Sequence, residues 1–156
     1  MTKMMSMYLI LESINNGALQ WDEVIRVSEN AASYGGSQIY LKPGEKMTVK
    51  DLFKSIAIAS ANDSVTALAE RVAGSEQAFV ELMNNKVKEL GMNDTVFKNP
   101  TGLTTEGHVT SAYDMSIIAK HLLKDYPEII EFSGLYEDYI RLRFTSTHNN
   151  CNDTHI

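Results

Sequence analysis

Apolar side chains return at helical spacing along most of the chain, and the positions where that rhythm breaks mark the elements. Met4, Met5, Tyr8, Leu9 and Leu11 predict a helix over residues 1–16 with a broad buried face, stopped by Asn15-Asn16-Gly17. Val24-Ile25-Arg26-Val27 is a short strand-type run, and Lys46-Met47-Thr48-Val49 is its expected partner. Between them Ser33-Tyr34-Gly35-Gly36-Ser37 and Lys42-Pro43-Gly44-Glu45 are turn material. Thr48-Val49-Lys50-Asp51 resembles a capping box with Asp in place of Glu or Gln, and it opens a strongly apolar helix through Leu52, Phe53, Ile56, Ala57 and Ala59. After a break at Ser60-Ala61-Asn62, the residues Val65, Leu68, Ala69 and Val72 make the next helical face, ended by Gly74. Ser75 caps another helix carrying Phe79, Leu82, Met83, Val87 and Leu90, closed by Gly91.

Residues 92–105 read as irregular, with Asn99-Pro100-Thr101-Gly102-Leu103 a rigid loop. Ser111-Ala112-Tyr113-Asp114 caps a helix through Met115, Ile118, Ala119, Leu122 and Leu123, and Pro127 suits the first turn of one more short helix ending near Ser133-Gly134. From Arg141 onward the periodicity fails, and residues 141–156 are expected to be a disordered tail. The pattern therefore predicts a mainly α body over residues 1–140 with a small β-excursion. At 156 residues the chain is the size of one domain, with 44% hydrophobic residues to build its core.

The most informative break is Ser60-Ala61-Asn62, because two buried helices flanking a polar turn would hold a hydroxyl and a carboxamide rigidly at the edge of a core. Alone, the tripeptide is an ordinary helix cap. Charge excludes one class of role: with 20 acidic against 14 basic residues and no Lys/Arg block, the chain is not built to bind nucleic acid. No signal-like segment or membrane span is recognisable, and one cysteine, Cys151, permits no intrachain disulfide.

Set in order, several stretches resemble the serine-type D-alanyl-D-alanine carboxypeptidases, the low-molecular-mass penicillin-binding proteins. They are Met1-Thr2-Lys3-Met4-Met5, Gly35-Gly36-Ser37, Leu41-Lys42-Pro43-Gly44-Glu45, Ser60-Ala61-Asn62-Asp63, Leu90-Gly91-Met92, Asn99-Pro100-Thr101-Gly102-Leu103 and Ser111-Ala112-Tyr113-Asp114-Met115. The similarity runs from Met1 to about Ile140. It implies the helical part of a β-lactamase/transpeptidase-like fold, with most of the central sheet missing. That family works with Ser-x-x-Lys, Ser-x-Asn and Lys-Thr-Gly motifs, a set related to that of the β-lactamases.

Carried over by position, Lys3 matches the lysine of the first motif, and Ser60 and Asn62 match the second. The first motif's spacing puts its nucleophilic serine immediately before Met1; no serine in the chain has a lysine three residues later, and no Lys-Thr-Gly occurs. The resemblance implies that Lys3 is the base that activates the nucleophile, that Ser60 relays a proton toward the leaving D-alanine, and that Asn62 holds the lysine and a substrate amide. It implies peptidoglycan stem peptides and β-lactams as ligands, an extracytoplasmic site of action, and neither cofactor nor metal. The chain by itself is expected to be inactive, and self-association through an exposed sheet-facing side is expected.

The alternative is a non-catalytic helical scaffold or partner-binding module derived from the same family. A β-lactamase relative is disfavoured, because Glu81-Leu82-Met83-Asn84-Asn85 lacks the Leu before Asn of that class and reads as helix surface. His108 reads as a polar loop residue, and Thr101 stands where some family members carry His. His148, Cys151 and His155 have ligand-like spacing in an Asn-rich tail and rank as a weak metal signal.

Overall fold

Helix starts and stops fall where the capping residues stand. The computed structural model describes residues 1–135 throughout and the backbone of residues 137–140 and 143–146. Helix α1 spans Thr2–Asn15, and Gly17 beyond it takes φ +82°. A three-residue strand β1, Val24–Arg26, pairs antiparallel with β2, Lys46–Thr48, in the register Ile25↔Met47. The expected β-excursion is thus present. It also contains a short helix α2, Glu29–Ala32, that the turn-rich sequence did not suggest. Ser28 caps it by accepting from the Ala31 N–H at 2.9 Å, a signal readable in Ser-Glu-Asn but outweighed by the glycines that follow.

Thr48 ends β2 and caps α3, Val49–Ala59, accepting from the Asp51 N–H at 3.1 Å. Helix α4, Asn62–Ala73, follows after two residues and stops at Gly74, φ +85°. Ser75 and Ser111 cap α5, Glu76–Glu89, and α6, Ala112–Asp125, through the N–H groups of Ala78 and Asp114. The short α7 covers Ile129–Ser133 with Glu128 at its cap, so Pro127 lies in the turn before the helix rather than inside it. The turn is tight, with Ile129 N–H on Tyr126 O and Ile130 N–H on Pro127 O.

Helix α4 is the centre, packed by α1, α2, α3 and α5. Its first eight residues, Asn62–Ala69, are all buried, which suits small side chains that let neighbouring helices approach from every side. Phe53 on α3 is fully buried and meets Trp21 and Phe132 edge-on at centroid distances of 5.4 and 5.0 Å, which pins α7 to the body. Lys86 on α5 donates to Glu12 on α1 at 2.8 Å with its ammonium near the Tyr8 ring, tying the far ends of those helices together.

The strand β3, Glu137–Ile140, pairs antiparallel with β4, Arg143–Ser146, and the hairpin runs beside α3. The boundary expected at residue 140 falls inside this hairpin. Tyr139, Ile140, Phe144 and Thr145 are strand-favouring residue types in a stretch too short for periodicity to declare itself. Residues 147–156, which hold the His148, Cys151 and His155 trio, lie outside the described residues. Among the described residues the strands form two two-stranded sheets and one isolated bridge, Val96↔Val109, so the architecture is mainly α as expected.

Removing the Phe53 ring should cost the fold about 3–5 kcal/mol, the usual range for a fully buried aromatic truncated to Ala. Denaturant unfolding of Phe53→Ala checks this, with Leu123→Ala, at an exposed position, expected to stay within about 0.5 kcal/mol of the wild type.

Candidate active site

The break between α3 and α4 is a two-residue joint with unusual backbone. Ser60 closes α3 in the left-handed region, φ +53° and ψ +36°, where glycine is the common choice. Its N–H bonds Ile56 O at 3.1 Å and the Ala61 N–H reaches back to Ser55 O at 3.3 Å, so both residues of the joint are tied to the last turn of α3. A serine held there carries strain that a glycine would not, and its exposed side chain has no hydrogen-bond partner among the described residues. The hydroxyl is free to act on something else.

Asn62 begins α4 and is 3% exposed. Its main-chain N–H, unpaired by the helix itself, donates to Ser37 O at 2.7 Å, and its Nδ2 donates to Gly35 O at 2.8 Å. Gly36 lies between those two carbonyls at φ +79°, and a Cβ there would stand 2.8 Å from Asn62 Nδ2. Only glycine lets the loop approach so closely. Asp63, fully buried, accepts from the N–H groups of Ile39 at 3.2 Å, Leu41 at 3.0 Å and Ser64 at 2.8 Å. Its carboxylate thereby fastens the irregular segment 37–41 over the start of α4. Ser64 and Ser55 complete the buried polar set, hydroxyl to hydroxyl at 2.7 Å.

Lys3 occupies the first turn of α1 and is half-buried. Its Nζ donates to Thr101 O at 2.8 Å, and one turn on, Ser6 Oγ donates to Pro100 O at 2.7 Å. Burial, uncompensated by any carboxylate, lowers the lysine to about 8. The loop it reads is self-supporting. Asn99 Oδ1 accepts from Gly102 N–H at 2.7 Å and Thr101 Oγ1 at 3.0 Å, while its Nδ2 donates to Leu103 O and Thr105 Oγ1. Gly102, φ +85°, passes Thr2 so closely that a Cβ would lie 3.1 Å from that side chain.

Lys3, Ser60 and Asn62 do not hydrogen-bond one another. Two loops bring them to one region. Segment 99–103 carries Lys3 on Thr101 and sends Leu103 toward Gly36, where a Cβ would sit 3.8 Å from Leu103 Cδ2 and 2.8 Å from Asn62. Sequence reasoning named the three side chains and missed their supports, Asp63, Thr101 and Asn99. Asp63 follows the motif directly, and a carboxylate beside a polar turn between apolar helices was the available signal. Asn84, read as helix surface, instead bridges α5 to the following segment, with Nδ2 on Phe97 O and Oδ1 on Phe97 N–H, both at 2.9 Å. Glu81 is exposed, in keeping with a surface position.

Similarity to known proteins points in one direction. A family profile described as D-alanyl-D-alanine carboxypeptidase matches residues 1–156. The D-alanyl-D-alanine carboxypeptidase DacF of Bacillus subtilis (strain 168) is 59% identical over 141 residues, which are 90% of this chain and 36% of DacF. The crystal structure of the D-alanyl-D-alanine carboxypeptidase DacD from Francisella tularensis superposes with a TM-score of 0.85 at 41% identity, covering 87% of this chain and 33% of that one. Penicillin-binding protein D2 from Listeria monocytogenes, solved in an ampicillin-bound form, gives a TM-score of 0.82 at 27% identity, covering 96% of this chain and 61% of that one. The chain spans about a third of the length of the curated relatives it matches.

Gly36→Ala should destabilise the chain more than Gly17→Ala. Both positions have positive φ, costing an alanine about 1–2 kcal/mol. Only at Gly36 does the new methyl also displace Asn62, whereas nothing lies within 4 Å at Gly17. Thermal unfolding of the two variants, with the Asn62 side-chain amide followed by NMR, separates the backbone cost from the site-specific one.

Proposed function

Because the chain belongs to the D-alanyl-D-alanine carboxypeptidase family of peptidases, we propose that Lys3, Ser60 and Asn62 are the base, the proton relay and the substrate-holding amide of a D-Ala-D-Ala carboxypeptidase site. The observation that carries this reading is Lys3: an amine half-buried, fixed on a main-chain carbonyl and lowered by burial to about 8 reaches the neutral, proton-accepting form far more readily than an ordinary lysine. The nucleophile belongs at the position immediately before Met1, three residues ahead of the lysine.

In this scheme the serine oxygen attacks the carbonyl between the two D-alanines as its proton passes to Lys3 Nζ. The tetrahedral oxyanion collapses, the C–N bond breaks, and Ser60 hands its proton to the departing D-alanine nitrogen while taking one from the Lys3 ammonium, which returns the lysine to its neutral form. Water then attacks the acyl ester as the neutral lysine takes its proton, and the lysine passes that proton to the serine oxygen as the ester bond breaks and frees the shortened peptide. Asn62 has one amide hydrogen committed to Gly35 O, which leaves the carboxamide oxygen and the second hydrogen for lysine and substrate. A β-lactam would enter as a mimic of the D-Ala-D-Ala amide and stay as the acyl ester, a reading supported by the ampicillin-bound relative.

Peptidoglycan stem peptides as substrate and the cell envelope as the place of action follow from this reading. Among the described residues no helix is long and apolar enough to cross a membrane. Self-association through the sheet-facing side of the helices belongs to the same proposal, and light scattering over a concentration series reads it directly.

Fluorescent penicillin tests the assignment. The 156-residue chain should take up no covalent label, since it has no serine three residues before a lysine. A polypeptide that continues it upstream with serine before Met1, and downstream through the rest of the family's domain, should acylate on that serine. Lys3→Ala should slow the acylation by about 10²–10⁴-fold. Label on Ser60, or acylation indifferent to Lys3, would overturn these roles.

A further inference from the structure

The turn that carries Lys3 is gripped from a side the catalytic scheme does not use. His108 lies in the loop before α6, and its backbone is fixed on two sides. Its own N–H bonds Thr105 O at 3.0 Å, and the next residue, Val109, exchanges both main-chain hydrogen bonds with Val96. The imidazole packs edge-on against Phe97 with centroids 5.6 Å apart. Nδ1 lies 3.2 Å from the Lys98 main-chain nitrogen, and Nε2 lies 2.9 Å from Thr2 Oγ1.

These contacts determine where the ring proton sits. A backbone N–H can only donate, so Nδ1 must present its lone pair to Lys98. The neutral ring then carries its hydrogen on Nε2 and donates it to Thr2 Oγ1. Thr2 is the first residue of α1 and the neighbour of Lys3. Gly102 also runs against Thr2, where a Cβ would lie 3.1 Å from the threonine side chain. The first turn of α1 is therefore clamped between His108 and the 99–103 loop, and Lys3 and Ser6 reach the carbonyls of Thr101 and Pro100 from the clamped turn.

We propose that His108 is a positioning residue for Lys3: as the Nε2–H tautomer it ties Thr2 to the Lys98 backbone and so holds the lysine's turn against the Thr101 carbonyl. This rests on the role given to Lys3 in the proposed function. His108 itself touches no reacting atom in this scheme. Burial depresses its pKa, which favours the neutral ring the bridge requires.

The consequence lies in the lysine's surroundings. Without the bridge the first turn loosens, water reaches Nζ, and the lysine returns toward its ordinary value of 10.5 from about 8. A glutamine can restore the bridge, because its carboxamide oxygen accepts and its NH₂ donates. An alanine can do neither.

The test is NMR on the 156-residue chain, with ¹⁵N-labelled histidine and ¹³Cε-labelled lysine. At neutral pH, His108 should show the Nε2–H tautomer, with Nδ1 unprotonated. The Lys3 titration midpoint should rise by a unit or more in His108→Ala and stay near the wild-type value in His108→Gln. Thr2→Val, which keeps the shape but removes the hydroxyl, should reproduce the alanine result even if His108→Ala fails to fold. An Nδ1–H tautomer, or a midpoint unmoved in both His108→Ala and Thr2→Val, would overturn the proposal. None of these readouts involves acylation. If the midpoint shifts as expected while penicillin acylation ignores Lys3, the functional reading fails and the positioning role stands as a structural one.

Discussion

The buried polar start of α4 is the constraint on which the rest depends. Asn62, Asp63 and Ser64 are all nearly or fully inaccessible, and their main-chain and side-chain groups cannot be left without partners in a low-dielectric interior. The chain meets that demand by laying segment 35–41 across the helix start. Gly35 and Ser37 offer carbonyls to Asn62, and Ile39 and Leu41 offer N–H groups to Asp63. Tyr40, between the two N–H groups, is forced to φ +58°, and Ser60, on the other side of the joint, to φ +53°. The described chain's two non-glycine residues with positive φ thus flank the same buried carboxylate and carboxamide. The β1–β2 excursion and α2 are the scaffolding that returns this segment to α4.

A second polar contact region meets the first. Lys3 and Ser6 on one face of α1 require acceptors, and the Asn99-stitched loop supplies two carbonyls in consecutive residues. Because Leu103 from that loop approaches Gly36, the lysine and the Ser60–Asn62 joint are held by the same packing. The arrangement is rigid without any direct bond between the candidate catalytic groups. That leaves Ser60's hydroxyl and part of Asn62's carboxamide available for a substrate.

Legibility in the sequence followed the strength of the physical signal. The long helices were readable because capping residues and apolar periodicity agreed, as at Thr48, Ser75, Gly74 and Ser111. Helix α2 was obscured because four residues cannot establish a period, and the β3–β4 pair because two four-residue strands look like a failing helix pattern. Of the site, Lys3, Ser60 and Asn62 were reached only by setting motifs in order. Their supports depend on contacts separated by about twenty to a hundred residues: Asp63 to Ile39, Lys3 to Thr101, Thr2 to His108. Local pattern carries no information about such pairs. His108 shows the difference most plainly, since a loop histidine reads as surface until the fold brings Thr2 to it.

Everything proposed for the site turns on what the lysine does to a D-Ala-D-Ala bond. The decisive measurement is release of free D-alanine from a peptide ending in Lys-D-Ala-D-Ala, by the polypeptide that continues this chain with serine before Met1 and through the remaining family domain. Release should be stoichiometric with peptide consumed, blocked by prior penicillin labelling, and nearly abolished by Lys3→Ala in a protein that still folds. Undiminished release by that variant, or penicillin labelling with no D-alanine release from the wild type, would contradict the role of Lys3 as the base of a carboxypeptidase.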